Sequence, residues 1–184
     1  VMGQESVGVL ILDGLDDWQI LQQNVYSLAE LNLKGRWIGE SGGRVQVRLV
    51  NEASGQPVTA ALDWANVETA ADGTWSGRLA DIPAGGLYRL ETRYNPANNL
   101  AGEWSTRGDM RHFIGVGDLW IIAGQSNAAG YGKGPVYDPP ELGIHILGNN
   151  ERWALASQPL NDSTDTRHPV NREAANPVHS PYLH

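Results

Sequence analysis

Between residues 7 and 114 the apolar positions fall into short runs, at 7–12, 18–22, 29–33, 44–50, 58–62, 73–79, 87–92 and 110–114, with Gly, Asn, Asp and Pro between them. Strands bounded by turn residues produce this spacing. In Val45-Gln46-Val47-Arg48-Leu49 and Leu87-Tyr88-Arg89-Leu90-Glu91 apolar residues alternate with polar ones. Successive side chains of a strand point to opposite faces, so each segment predicts one face on a core and one in water. Several such strands in succession predict an antiparallel β-sandwich, Ig-like or jelly-roll-like, over residues 1–114. Asp72-Gly73 marks a tight turn. Ile82-Pro83-Ala84-Gly85-Gly86 reads as the connection of a hairpin between 73–79 and 87–92, and 95–102 as an exposed loop.

The pattern changes near residues 113–117, which marks a domain junction. Leu119-Trp120-Ile121-Ile122-Ala123 is a continuous apolar run that ends in Gly124-Gln125-Ser126-Asn127. It predicts a buried strand with Trp120 in the core. A Gly-rich stretch follows at 129–134, then a turn at Tyr137-Asp138-Pro139-Pro140, then an apolar segment at 144–147 expected to be a second strand of an α/β layer. Pro159, Pro169, Pro177 and Pro181 interrupt the remainder, which predicts mostly loop.

Composition narrows the chemistry. A chain of 184 residues with a net charge of −8 carries no Lys/Arg stripe that could neutralise phosphates, so nucleic acid is not an expected partner. The apolar run 7–12 is too short to span a bilayer. The absence of cysteine removes disulfides, thiolate metal sites and a cysteine nucleophile. The acidic pairs Asp16-Asp17 and Asp162/Asp165 read as turns and solvated surface, and Gly130-Tyr131-Gly132-Lys133-Gly134 lacks the phosphate-loop pattern. No catalytic metal and no cofactor are expected.

Ser126 is the candidate nucleophile. A serine in a Gly-flanked turn at the carboxyl end of a strand has its hydroxyl lifted out of the sheet, as acyl transfer needs. Turn geometry alone also places Gly and Ser at strand ends, and Ala128 stands where Gly-x-Ser-x-Gly has its second glycine. The wider string Gly-Asp-Leu-Trp-Ile-Ile-Ala-Gly-Gln-Ser-Asn over 117–127 resembles the first block of the SGNH hydrolases. More narrowly it is similar to the branch of sialate O-acetylesterases and carbohydrate esterase family six, in which a β-sandwich region often precedes the motif.

The resemblance implies that residues 115–184 begin an α/β SGNH-type, flavodoxin-like hydrolase domain. Ser126 maps onto the family nucleophile, with its own N–H as an oxyanion donor, and Gln125 and Asn127 are substrate or oxyanion-hole candidates. It also implies an oxyanion-hole glycine, an oxyanion-hole asparagine and an Asp-x-x-His pair, all expected outside this sequence. His179 and His184 have Asn176 and Pro181 at the aspartate's offset, so neither fits; His145 and His168 read as loop or surface residues, and His112 as a satisfied strand residue. The implied substrate is an O-acetylated glycan or sialic acid, the implied compartment the periplasm or exterior, and the implied partner a second polypeptide or further C-terminal segment that completes the domain. The reading from another class is a non-catalytic carbohydrate-binding module, since the chain holds seven tryptophans. Trp37, Trp64 and Trp75 are expected in the sandwich interior, with one or two others exposed at a substrate cleft.

Overall fold

The structure, a computed structural model, describes residues 7–99, 104–124, 128, 138–158, 160–162, 165–167 and 178–179. The first part is a β-sandwich built from β1 (Gly8–Asp13), β2 (Ile20–Gln22), β3 (Leu28–Ile38), β4 (Arg44–Asn51), β5 (Ala65–Asn66), β6 (Glu68–Thr69), β7 (Thr74–Pro83), β8 (Gly85–Asn95) and β9 (Thr106–Gly117). One sheet runs β1-β3-β7-β6 and the other β2-β9-β8-β4-β5.

Period-two patterning explains the core. Ala29, Leu31 and Leu33 of β3 and Val45, Val47 and Leu49 of β4 are buried, while the residues between them face outward. Each such aliphatic side chain removed from water contributes about 1.5–3 kcal/mol. Trp75 is buried against Gly35, where a Cβ would lie 1.9 Å from the Leu10 carbonyl oxygen and 2.4 Å from Trp75 Nε1. The missing side chain lets the indole donate to both Leu10 O (3.1 Å) and Arg36 O (3.2 Å). Arg111 of β9 reaches across to β1 and the segment after it, donating to Ile11 O and Leu15 O.

Several expectations are corrected. The segment 82–86 does not close a hairpin, because β7 and β8 lie in different sheets. Ile82 is buried, Ala84 N–H donates to Ser27 O at 2.8 Å, and Gly85 and Gly86 turn the chain through φ of 119° and 130° into the second sheet. Glycine permits such a corner as readily as a hairpin turn, so composition alone cannot choose between them. The actual hairpin is β6–β7, turned at the expected Asp72-Gly73, where Gly73 has φ 82°.

The run 58–62 is a 3₁₀ turn at Ala60–Leu62 that buries only Leu62, rather than a strand. The sandwich is not wholly antiparallel, since β2 pairs with β9 in parallel, Ile20 opposite Gly115. Asn95, the last residue of β8, and Asn99 in the loop after it are buried, and Asn99 Nδ2 donates to Asn95 Oδ1 at 2.7 Å and to Trp104 O. A side-chain amide can satisfy buried carbonyls that an apolar residue would leave orphaned, which is how a polar loop becomes anchored.

Of the tryptophans, Trp75 is buried as expected, whereas Trp37 and Trp64 are half-buried. Beyond Gly117 the described residues contain β10 (His145–Leu147) paired antiparallel with β11 (Trp153–Leu155), and β12 (Asn161–Asp162) paired antiparallel with β13 (Val178–His179). The segment 144–147 is therefore one arm of a hairpin. Among the described residues after Gly117 there is no helix and no parallel strand pair.

Candidate active site

Ser126, Gln125 and Asn127 lie outside the described residues, as do 129–137. The approach to them is anchored at its start. Asp118 Oδ1 accepts from Gln22 Nε2 (3.3 Å) and Gln23 Nε2 (3.1 Å), Leu119 N–H donates to Gln22 Oε1 (2.8 Å), and Gln23 N–H donates to Gly117 O (2.8 Å). The end of β2 thus fixes where the chain leaves β9.

Residues 118–124 form no regular secondary structure and pair with no strand among the described residues, and Trp120 is 86% exposed and Ile121 93%. The expected core position of Trp120 is corrected: an apolar run is buried only when a neighbouring strand or helix covers it, and no described residue does so here. Four consecutive apolar residues at a surface mark a face built to be covered. At the far end, a Cβ on Gly124 would stand 3.0 Å from Ala128 Cβ, so the two residues that bracket Gln125-Ser126-Asn127 come close together.

Following the motif, the chain returns to the sandwich. His145 lies edge-on to Trp18 (centroids 5.3 Å, 78°), its Nδ1 meets Trp18 O at 2.6 Å and its Nε2 meets Leu142 O at 2.9 Å. Trp18 in turn stacks on Phe113. Beside this cluster sits a histidine–carboxylate pair, His112 Nδ1 to Glu52 Oε1 at 3.1 Å. Glu52 also accepts from Phe113 N–H (3.0 Å) and Arg89 Nη1 (3.1 Å). Burial alone would raise the Glu52 carboxyl, but these three donors outweigh it and hold it below the usual carboxylate range. His112 is a satisfied strand residue, as expected, with its N–H donated to Asp17 Oδ1 at 2.7 Å.

Sequence reasoning misses one Asp-x-x-His spacing downstream of Ser126, Asp165-Thr166-Arg167-His168, so the expectation that none follows the serine is corrected. The signal was simple offset counting back from His168. Asp165 is exposed with φ 56°, and His168 lies outside the described residues. A carboxylate open to water orients an imidazole poorly, because solvent competes for its lone pairs. Backbone pairing places His179 opposite Asn161 in β12–β13; His184 lies outside the described residues. Among the described residues no group of His, Asp and Glu side chains has the arrangement of a metal site.

The residues 116–178, about a third of the chain, match the family model for carbohydrate esterase, sialic acid-specific acetylesterase. The segment is that of a carboxylic ester hydrolase, and the resemblance carried by residues 117–127 is supported by an independent comparison. No curated protein matches the chain.

Proposed function

We propose that this chain supplies the nucleophile-bearing part of a serine esterase that removes acetyl groups from an O-acetylated carbohydrate or sialic acid. The observation that carries the reading is the esterase match over 116–178, which takes in Gly124-Gln125-Ser126-Asn127. In this reading 1–114 form the sandwich domain and 115–184 open an SGNH-type α/β domain whose first parallel strand is 118–124. The exposed Leu119–Ile122 run supports it, since that surface needs the rest of a sheet.

Ser126 Oγ attacks the acetyl carbonyl while a histidine takes its proton, and the carbonyl oxygen becomes an oxyanion held by the Ser126 N–H and further donors. Collapse expels the sugar hydroxyl, protonated by the same histidine, and leaves an acetyl-serine ester. Water activated by the histidine then releases acetate and restores the serine. In this reading Gln125 and Asn127, the sequence neighbours of the nucleophile, orient the turn or touch the substrate. The base and its aspartate are assigned to residues outside this sequence, carried by a second polypeptide or a further C-terminal segment, and the assigned compartment is the periplasm or exterior.

The test is intact-mass analysis of the purified complete protein after reaction with a fluorophosphonate serine probe. An adduct mapped to Ser126 and abolished by Ser126→Ala is the expected result. An unlabelled Ser126, or acetyl-ester turnover unchanged by Ser126→Ala, overturns the reading.

A further inference from the structure

The outer face of the five-stranded sheet carries a charge arrangement that the esterase reading does not use. Register places Arg107 of β9 opposite Arg93 of β8, and Arg93 opposite Gln46 of β4. Like charges directly across a sheet destabilise it unless something compensates. No carboxylate forms an ion pair with either among the described residues: Arg93 Nε donates to Gln46 Oε1 at 2.8 Å, and Gln46 Nε2 donates on to Asn66 Oδ1 at 2.9 Å.

One row along the strands the picture differs. Arg48 and Arg89 share Glu91, at 2.7 Å and 2.8 Å, and also reach Asp63 and Glu52. Those two arginines are ion-paired; among the described residues Arg93 and Arg107 are not, and Arg93 has only the longer-range charge of Asp63 beside it. Trp64 lies 4.1 Å from the Arg93 guanidinium carbon and 4.5 Å from that of Arg48, which fixes the pair in place. Burial, and then the neighbouring Arg48 charge, push the Arg93 guanidinium below its ordinary range, and the Asp63 charge offsets this only in part. A groove of about 340 Å³ opens over these residues, with Ser105 and Met110 on its wall.

We propose that this groove binds the carboxylate of an acidic sugar, with Arg93 and Arg107 as the anion-binding pair. A guanidinium fork matches the two oxygens of a carboxylate and is already ordered here by Gln46 and Trp64, so little side-chain freedom is lost on binding. A positive pair without an ion-paired carboxylate stands out in a chain of net charge −8, and a local violation of charge patterning is characteristic of a binding surface. A ligand anion supplies the missing negative charge. The choice of a sugar as the carrier of that anion rests on the glycan-esterase reading; the preference for an anion does not.

The experiment follows the Arg93 Nε–Hε and Trp64 Nε1–H resonances of the full chain in its Ser126→Ala form. The chain is titrated with N-acetylneuraminate, glucuronate, neutral N-acetylmannosamine and inorganic sulfate. Saturable shifts with the two acidic sugars, absent with the neutral one, and about tenfold weaker in Arg107→Gln are expected for a lost charge-assisted pair. Arg107 is exposed, so that variant tests the charge without disturbing Trp64 packing. Equal response to the neutral sugar, no shift with any acidic sugar, or an unchanged titration in Arg107→Gln overturns the proposal. Sulfate binding as tight as the acidic sugars reduces the groove to a general anion site and overturns the glycan assignment. Because Ser126 is absent from the measurement, the outcome is independent of the probe experiment that judges the esterase reading.

Discussion

The Trp18 ring stacks on Phe113 with centroids 4.2 Å apart and planes inclined by 19°. Both residues hold left-handed backbone conformations, φ 64° and 59°, which cost a bulky side chain free energy unless packing compensates. Trp18 N–H also donates to His112 O at 2.9 Å, so the pair locks the loop before β2 onto β9. The same indole receives His145 from the segment after the serine motif. One aromatic stack therefore ties the sandwich to the chain on both sides of Ser126.

Trp18→Ala removes this stack and the edge contact with His145. A loss of about 3–5 kcal/mol is expected by analogy with large-to-small aromatic changes, reduced where Trp18 is partly exposed. Urea denaturation of the full chain reads the loss. Limited proteolysis should show new cleavage within 138–158, and unchanged protection there would mean that the cluster does not hold that segment.

The Glu52 and Glu91 carboxyls both sit below their usual value of 4.5, held there by the donors around them against the opposing effect of burial. A depressed folded-state value contributes stability that is fully present above the unfolded value and lost as pH falls through the folded one. Stability should therefore fall below about pH 4.5 as these sites protonate. Glu52→Gln should lower stability at pH 7 and flatten the acid limb of a pH–stability curve. A variant curve parallel to wild type at every pH would exclude Glu52 from the acid response.

Gly35→Ala tests the indole pocket. The new methyl would stand 1.9 Å from Leu10 O, a backbone atom held in the β1–β3 ladder, so relief requires moving a strand. Overpacking of this kind costs about 1–3 kcal/mol. Thermal unfolding should shift downward accordingly, with weakened protection of the Trp75 Nε1–H in hydrogen exchange.

Ile121→Asp separates folding from assembly. With Ile121 almost fully exposed, the sandwich should change by no more than about 0.5 kcal/mol, as for surface sites generally. In the complete protein the same change should impair probe labelling of Ser126 if, as proposed, 118–124 is the first strand of the hydrolase sheet. Full labelling would show that this run stays at the surface.

His168→Ala addresses the source of the catalytic base. Asp165 is exposed, so probe labelling of Ser126 in the complete protein should survive the change. Loss of labelling with folding intact would instead bring the Asp165/His168 pair into the triad.

The alternation in 44–50 and the turn at Asp72-Gly73 were legible because side-chain period and glycine conformation are local properties. The serine motif was legible for the same reason, as a short contiguous string whose esterase match spans 116–178. The hairpin at 82–86 was misread because a Gly-rich connection serves a corner between sheets equally well, and β8 pairs with β9 and with β4, about forty residues upstream, rather than with β7. Trp120 was misplaced for a related reason: its apolar character describes what it needs, whereas burial depends on what lies beside it.

By itself, then, the sequence determined most of the strand-forming segments and the esterase class, each of which depends on neighbouring residues along the chain. The tertiary structure decided which strands share a sheet, that the loop amides Asn95 and Asn99 are buried, and that Arg93 and Arg107 stand opposite each other without a carboxylate between them. Those outcomes turn on pairing between distant segments, where hydrogen-bond register and packing, rather than local preference, set the lowest free energy.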